Sequence, residues 1–108
     1  MSEDPGVRIG EMKRGAYVYI LSSKRNGTLY VGVTSDVVTR IYQHREHLVG
    51  GFTSKYKVDR LVWFGECGSI PEAMELEKKI KNRGRTWKLA LIEELNPEWQ
   101  DLAADWFG

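Results

Sequence analysis

A carboxylate at the edge of an apolar helix stripe, an arginine one turn before a histidine, and tyrosines on paired strands are the residues here whose types and spacing could do chemistry. The carboxylate is Glu77. Glu72 is needed at the helix cap and Glu75 points away from the apolar stripe, whereas Glu77 lies at its margin. A charge there is costly unless paired or metal-bound. Two readings follow: an ion pair with Lys81 four residues on, or a single hard oxygen ligand for a divalent cation. Arg40 is either solvated or a guanidinium bonding a phosphate oxygen, a contact that strengthens as charge builds in a transition state. His44 is either a satisfied core histidine or a polar contact beside Arg40. Tyr19 and Tyr30 read first as packing residues. A phenol titrating near 10 is a poor base unless cations such as Arg40 or a metal lower its pKa. Asn96 precedes Pro97 and reads as a turn asparagine. Lys78, Lys79, Lys81, Arg83, Arg85 and Lys88 form a basic run broken by Trp87. It is either a solvated face or a patch that follows phosphates. Lys55 and Tyr56 are further candidates for a cleft lining.

Several elements must position these groups. Residues 16–22 and 28–34 are rich in β-branched and aromatic side chains and flank Lys24-Arg25-Asn26-Gly27. Asn-Gly between such runs predicts a β-hairpin, because both residues tolerate positive φ. Alternation puts Tyr17 and Tyr19 on one face, and Tyr30 with Gly32, where a bare glycine would admit another backbone. Thr34-Ser35-Asp36 offers helix-capping oxygens, predicting a helix to about residue 47 with Val37, Ile41, His44 and Leu48 on one stripe. Gly50-Gly51 ends it, and residues 52–58 read as a loop. Residues 60–64 read as a strand, apolar on both faces and therefore sandwiched or central. Ser69-Ile70-Pro71-Glu72 has capping-box spacing and predicts a helix over 70–83 that buries Ala73, Leu76 and Ile80. A short helix over 86–94 ends before Pro97. The segment with Trp99, Leu102, Trp106 and Phe107 is amphipathic and should fold back onto the body. The expected architecture is α+β: a small three-stranded antiparallel sheet flanked by helices.

Tyr17-Val18-Tyr19 followed by Tyr30-Val31-Gly32 resembles the paired signature of the GIY-YIG endonuclease superfamily. Arg40-Ile41-Tyr42-Gln43-His44, Gly51-Phe52-Thr53, Glu77-Lys78-Lys79-Ile80-Lys81 and Leu91-Ile92 with Asn96-Pro97 extend the resemblance over residues 16 to about 102. It looks most like the small stand-alone bacterial branch. The resemblance implies that Glu77 binds Mg²⁺ (or Mn²⁺) and that Tyr19 activates the attacking water. It makes Tyr30 a contributor to the water or phosphate network, and Arg40 and His44 phosphate or proton contacts. It gives Asn96 a role in holding the catalytic helix or a phosphate. Tyr17 stands where the family often has glycine, and Val31 stands for isoleucine. The implied activity is metal-dependent hydrolysis of phosphodiester bonds in DNA, selective for structure rather than sequence, as in DNA repair or recombination. Lys55, Lys81, Arg85 and Asn96 would add nucleic-acid contacts.

Composition sets the outer bounds. The chain's 108 residues suit one domain, with residues 1–15 as a polar leader and the nuclease-like domain over 16–108. Net charge is +1, but all 16 Lys and Arg fall within residues 1–88 against 10 acids, while residues 89–108 hold five acids and no base. A basic body with an acidic tail can still present a positive face. Cys67 is the single cysteine, read as a small buried hydrophobe with no intrachain disulfide open to it. No apolar run approaches a membrane span, and a cytoplasmic monomer is expected. Two other functions compete with the nuclease. One is a nucleic-acid-binding module without efficient cleavage. The other is a protein-interaction domain that uses an exposed aromatic tail from Trp99 to Phe107.

Overall fold

In the computed structural model, which describes residues 15–48 and 50–107, the hairpin seeds a three-stranded antiparallel sheet. Strands β1 (Ala16–Ser22) and β2 (Leu29–Thr34) are joined by the turn, where the Gly27 N–H donates to the Lys24 carbonyl at 2.9 Å. Only Asn26 takes a positive φ (57°) there; Gly27 does not. Helix α1 (Val37–Arg45) follows, then α2 (Phe52–Tyr56), β3 (Arg60–Cys67), α3 (Ile70–Lys81) and α4 (Arg85–Leu95). The leader expected over residues 1–15 lies outside the described residues except for Gly15, whose N–H donates to the Ser35 carbonyl.

Strand order is β2-β1-β3, so β1 is central and buried at every position. Its alternation splits two cores. Ala16, Val18 and Ile20 face Val31, Ala73, Ile80, Ile92 and Trp99; Tyr17, Tyr19 and Leu21 face Val37, Ile41, Ala103 and Trp106. β3 is sandwiched as expected but lies at the sheet edge. Its double-sided apolar character has a local cause. Ile20 pairs with Trp63 while Leu21 pairs with Leu61, leaving Val62 as the extra residue of a β-bulge. Val62 and Trp63 consequently enter the same core, and Leu61 the other.

The caps act as their residue types dictate. Asp36 accepts from the Thr39 N–H, and Ser69 accepts from the Glu72 N–H while the Glu72 carboxylate accepts from the Gly68 N–H at 3.0 Å. α1 stops at Arg45, two residues short of expectation, and His47 turns into the left-handed region (φ 57°). Leu48 therefore leaves the buried stripe and is 67% exposed. The loop expected over 52–58 contains α2, entered through Gly51 at φ 88° and ended by Lys57 in the left-handed conformation. Five residues are too few to show a helical period. Cys67 is only partly buried at the end of β3, and burial together with the Glu72 and Glu66 charges pushes its thiol pKa up.

The tail after α4 has no regular structure but seals the β3 edge. The Leu102 N–H donates to the Leu61 carbonyl at 2.8 Å, and the Asp101 carboxylate accepts from the Leu61 N–H. Trp99 is fully buried and Trp106 nearly so, the fold-back expected of this amphipathic segment, which removes the exposed aromatic tail that the protein-interaction alternative requires. No described helix is long and apolar enough to cross a membrane.

Candidate active site

Tyr19 is the centre of the polar cluster. It pairs across the hairpin with Gly32, and its ring lies over that glycine. A Cβ at position 32 would fall 2.5 Å from the phenol oxygen and 2.6 Å from Cζ. The bare glycine surface thus admits the chain's own tyrosine ring, not another backbone. The phenol oxygen is 3.1 Å from His44 Nε2, and His44 Nδ1 is 3.1 Å from Thr53 Oγ1. All three side chains are buried. α1 supplies Arg40 and His44 one turn apart, and α2 supplies Thr53.

Charge and burial set the protonation of this chain of groups. Burial pushes the Tyr19 pKa up to about 12, reinforced by Tyr30 and Glu77 and opposed by the Arg40 guanidinium facing the phenol. A lowered phenol pKa, the expected route to a base, is therefore not what the fold provides: desolvation outweighs the cation. Burial and the Arg40 charge lower the His44 pKa, with Asp59 pulling the other way. A neutral imidazole has one N–H and one lone pair, so it can bond both neighbours in only two senses. Arg40 beside the phenol oxygen favours one of them. Tyr19 O–H then donates to Nε2, and Nδ1–H donates to Thr53 Oγ1.

Tyr30 packs against this group, with ring centroids 6.3 Å from Tyr19 and 5.7 Å from His44. Glu77 arrives from α3, largely withdrawn from solvent, with its carboxylate 3.0 Å from Lys81 Nζ. Its charge is felt at the Tyr19 phenol. The ion-pair reading of Glu77 is thus present, and the carboxylate also lies within electrostatic reach of the Tyr19 phenol. Among the described residues no three His, Cys, Asp or Glu side chains gather into a metal cage. A lone carboxylate suits Mg²⁺ held with waters and a substrate phosphate.

The structure brings Tyr19, Tyr30, Arg40, His44 and Glu77 together, and Lys81 with them through its ion pair. Other candidates are committed elsewhere. Arg85 donates to the Asn26 and Gly27 carbonyls at 2.6 and 2.8 Å, pinning the hairpin turn to α4. Arg83 lies over the Trp87 ring, so the basic run is not a continuous free patch. Asn96 is buried, donates to the Val62 and Gln100 carbonyls and accepts from the Gln100 N–H. Its amide holds the tail to β3 and leaves no group for a phosphate. Lys55 is exposed, with Nζ 5.4 Å from the Tyr56 ring. His47 is exposed, as expected. Two residues that the resemblance includes are given no role by the sequence, Thr53 behind His44 and Phe52 stacked on Tyr30, because both contacts depend on the unexpected α2.

Comparison with known proteins bears on this geometry. The GIY-YIG catalytic domain model matches residues 15–90. A UPF0213 protein of Streptococcus sanguinis is 35% identical over 83 residues, covering 77% of this chain and 94% of its own. One from Bacillus licheniformis is 36% identical over 89 residues, covering 79% of this chain and 87% of its own. The solution NMR structure of a UPF0213 protein from Bacillus halodurans superposes with a TM-score of 0.51 at 29% identity, over 85% of this chain and 98% of that one. The shared sheet and helices, and a family match over most of the chain, make this protein a member of the GIY-YIG family of nuclease domains.

Proposed function

We propose that the domain is a divalent-metal-dependent endonuclease that hydrolyses phosphodiester bonds in DNA and selects its substrate by shape, as DNA repair or recombination would require. The supporting observation is the buried Tyr19–His44–Thr53 chain with Arg40 facing the phenol.

A phenol titrating near 12 holds its proton at neutral pH, so Tyr19 works by exchange. As water attacks phosphorus, its proton passes to the Tyr19 oxygen while the Tyr19 proton passes to His44 Nε2. The bond from phosphorus to the leaving sugar oxygen breaks, that oxygen takes a proton from solvent water, and His44 gives its proton back to solvent, which closes the cycle. His44 is neutral beforehand and can accept, and Thr53 keeps the lone pair on the nitrogen that faces Tyr19. Arg40 leans on the phosphate as its charge grows. Glu77 would hold Mg²⁺ (or Mn²⁺), which supplies Lewis-acid stabilisation of charge on the phosphate oxygens. Lys81 would release Glu77 to the cation and turn to the phosphate.

The test is turnover of a labelled nicked or branched DNA in Mg²⁺ and in chelator, with wild type and Glu77→Gln. Glu77→Gln should cut on the order of 10²–10³-fold more slowly and still bind DNA. Equal cutting by the two proteins refutes the assignment. Binding by wild type without cutting would leave a nucleic-acid-binding module.

A further inference from the structure

Two large aromatic side chains stand half in water beside the site. Phe52 is 47% exposed and Tyr56 is 50% exposed, both on α2, the helix that also carries Thr53. They are not isolated. Tyr30 stacks on Phe52 with centroids 6.5 Å apart and planes 26° from parallel. Phe52 meets Tyr56 at 5.0 Å. Lys55 Nζ sits over the Tyr56 ring. A ladder of rings thus runs from His44 through Tyr30 and Phe52 to Tyr56, and its outer end carries a cation. Burial would be the cheaper fate for such rings, so their common exposure beside the polar cluster calls for a ligand with a flat apolar face.

From this geometry we infer that Phe52 and Tyr56, with Lys55, form a stacking site for an unpaired nucleobase next to the phosphate being cut. The inference rests on the nuclease reading and names its substrate class: a strand with unstacked bases, as in a single-stranded flap or gap. Every base has a π-face, so the site is indifferent to sequence. In an intact duplex those faces are already covered by neighbouring base pairs. Lys55 meets the backbone phosphate of the stacked nucleotide. Continuity with Tyr30 places the stacked base next to the polar cluster.

The test uses the full chain with Glu77→Gln, which blocks turnover, and two probes of equal length: a single-stranded oligodeoxynucleotide carrying 2-aminopurine and a blunt duplex. Binding is read by anisotropy in Mg²⁺, and stacking by quenching of 2-aminopurine. Phe52→Leu/Tyr56→Leu keeps apolar bulk and removes the rings. It should weaken single-strand binding by about tenfold or more, abolish the quenching and leave duplex affinity unchanged. Phe52→Tyr/Tyr56→Phe should retain both signals. An unchanged single-strand affinity, or an equal loss on both probes, overturns the stacking site while the nuclease reading stands. If the Glu77→Gln protein binds neither probe and wild type cuts neither, the nuclease reading falls and the stacking site with it.

Discussion

On one side of β1, Val18 and Ile20 meet Val31, Val62, Ala73, Ile80, Ile92 and Trp99, a contact made almost wholly of hydrocarbon. On the other side Tyr17, Tyr19 and Leu21 meet Val37, Ile41, Ala103 and Trp106, but a tyrosine, a histidine and a threonine are threaded through that side as a hydrogen-bonded line. Both sides exclude water. The first has its polar anchors where the tail joins it, most of them part-buried and Asn96 buried. Trp99 Nε1–H donates to Glu93 at 2.7 Å, Arg60 donates to the Trp99 carbonyl, and Asn96 ties the tail to β3. The second holds its polar groups in the middle, where low dielectric strengthens each bond and makes each unpaired group costly. The contrast separates the residues that hold this fold from those proposed to give it chemistry, although they alternate along a single strand.

Substitutions on the two sides should therefore fail differently. Tyr19→Phe should cost the most in rate, about 10²–10⁴-fold, with a stability loss of only about 1 kcal/mol for one hydrogen bond. It should also remove an alkaline signature. The folded Tyr19 pKa lies above its unfolded value near 10. The unfolded chain therefore releases that proton first, and the stability Tyr19 confers is complete below pH 10 and lost as pH rises towards about 12. In urea melts across that window the Tyr19→Phe deficit should shrink and then reverse, because only wild type loses stability to this ionisation. If Tyr19→Phe keeps full cleavage rates, the polar line is structural only.

Trp99→Ala should show the reverse pattern. Removal of a fully buried indole should cost about 3–5 kcal/mol by chemical denaturation, while the fraction that remains folded keeps its specific activity. Gly32→Ala falls between the two sides. Its methyl would strike the Tyr19 ring, so about 1–3 kcal/mol should be lost together with cleavage, and Tyr19→Phe/Gly32→Ala should be less than additive in rate. Additivity would mean that the glycine serves some purpose other than seating Tyr19. Thr53→Val is the mildest. It keeps the shape, removes one partner of His44 and should slow cleavage about fivefold to tenfold, the worth of one hydrogen bond. Thr53→Ser should restore the rate. The His44 ¹⁵N shifts should report a mixed tautomer in Thr53→Val and a single one in wild type. Identical shifts would show that Thr53 does not set it.

Much of the fold was legible because it is local. The hairpin runs, the Asp36 and Ser69 caps and the α3 stripe each depend on residues a few positions apart. What failed to read was short or non-local. α2 is too brief to show a period, the double-sided β3 concealed a bulge, and the tail's fold-back was readable while its docking place was not, because nothing in the string says that Trp99 will find Val62. The candidate site was legible as residue types, by resemblance to a family. Its electrostatics were not: Tyr19 next to Arg40 suggests a lowered phenol pKa, and burial reverses the sign.

The sequence by itself determined which faces turn inward, since alternation and helical period follow from backbone geometry alone. Tertiary structure decided what those faces meet. Tyr19 and His44 are 25 residues apart, and His44 and Thr53 are nine. Only the packing of α1 and α2 against the hairpin sets those distances and removes the water that would otherwise hold the phenol near its ordinary pKa.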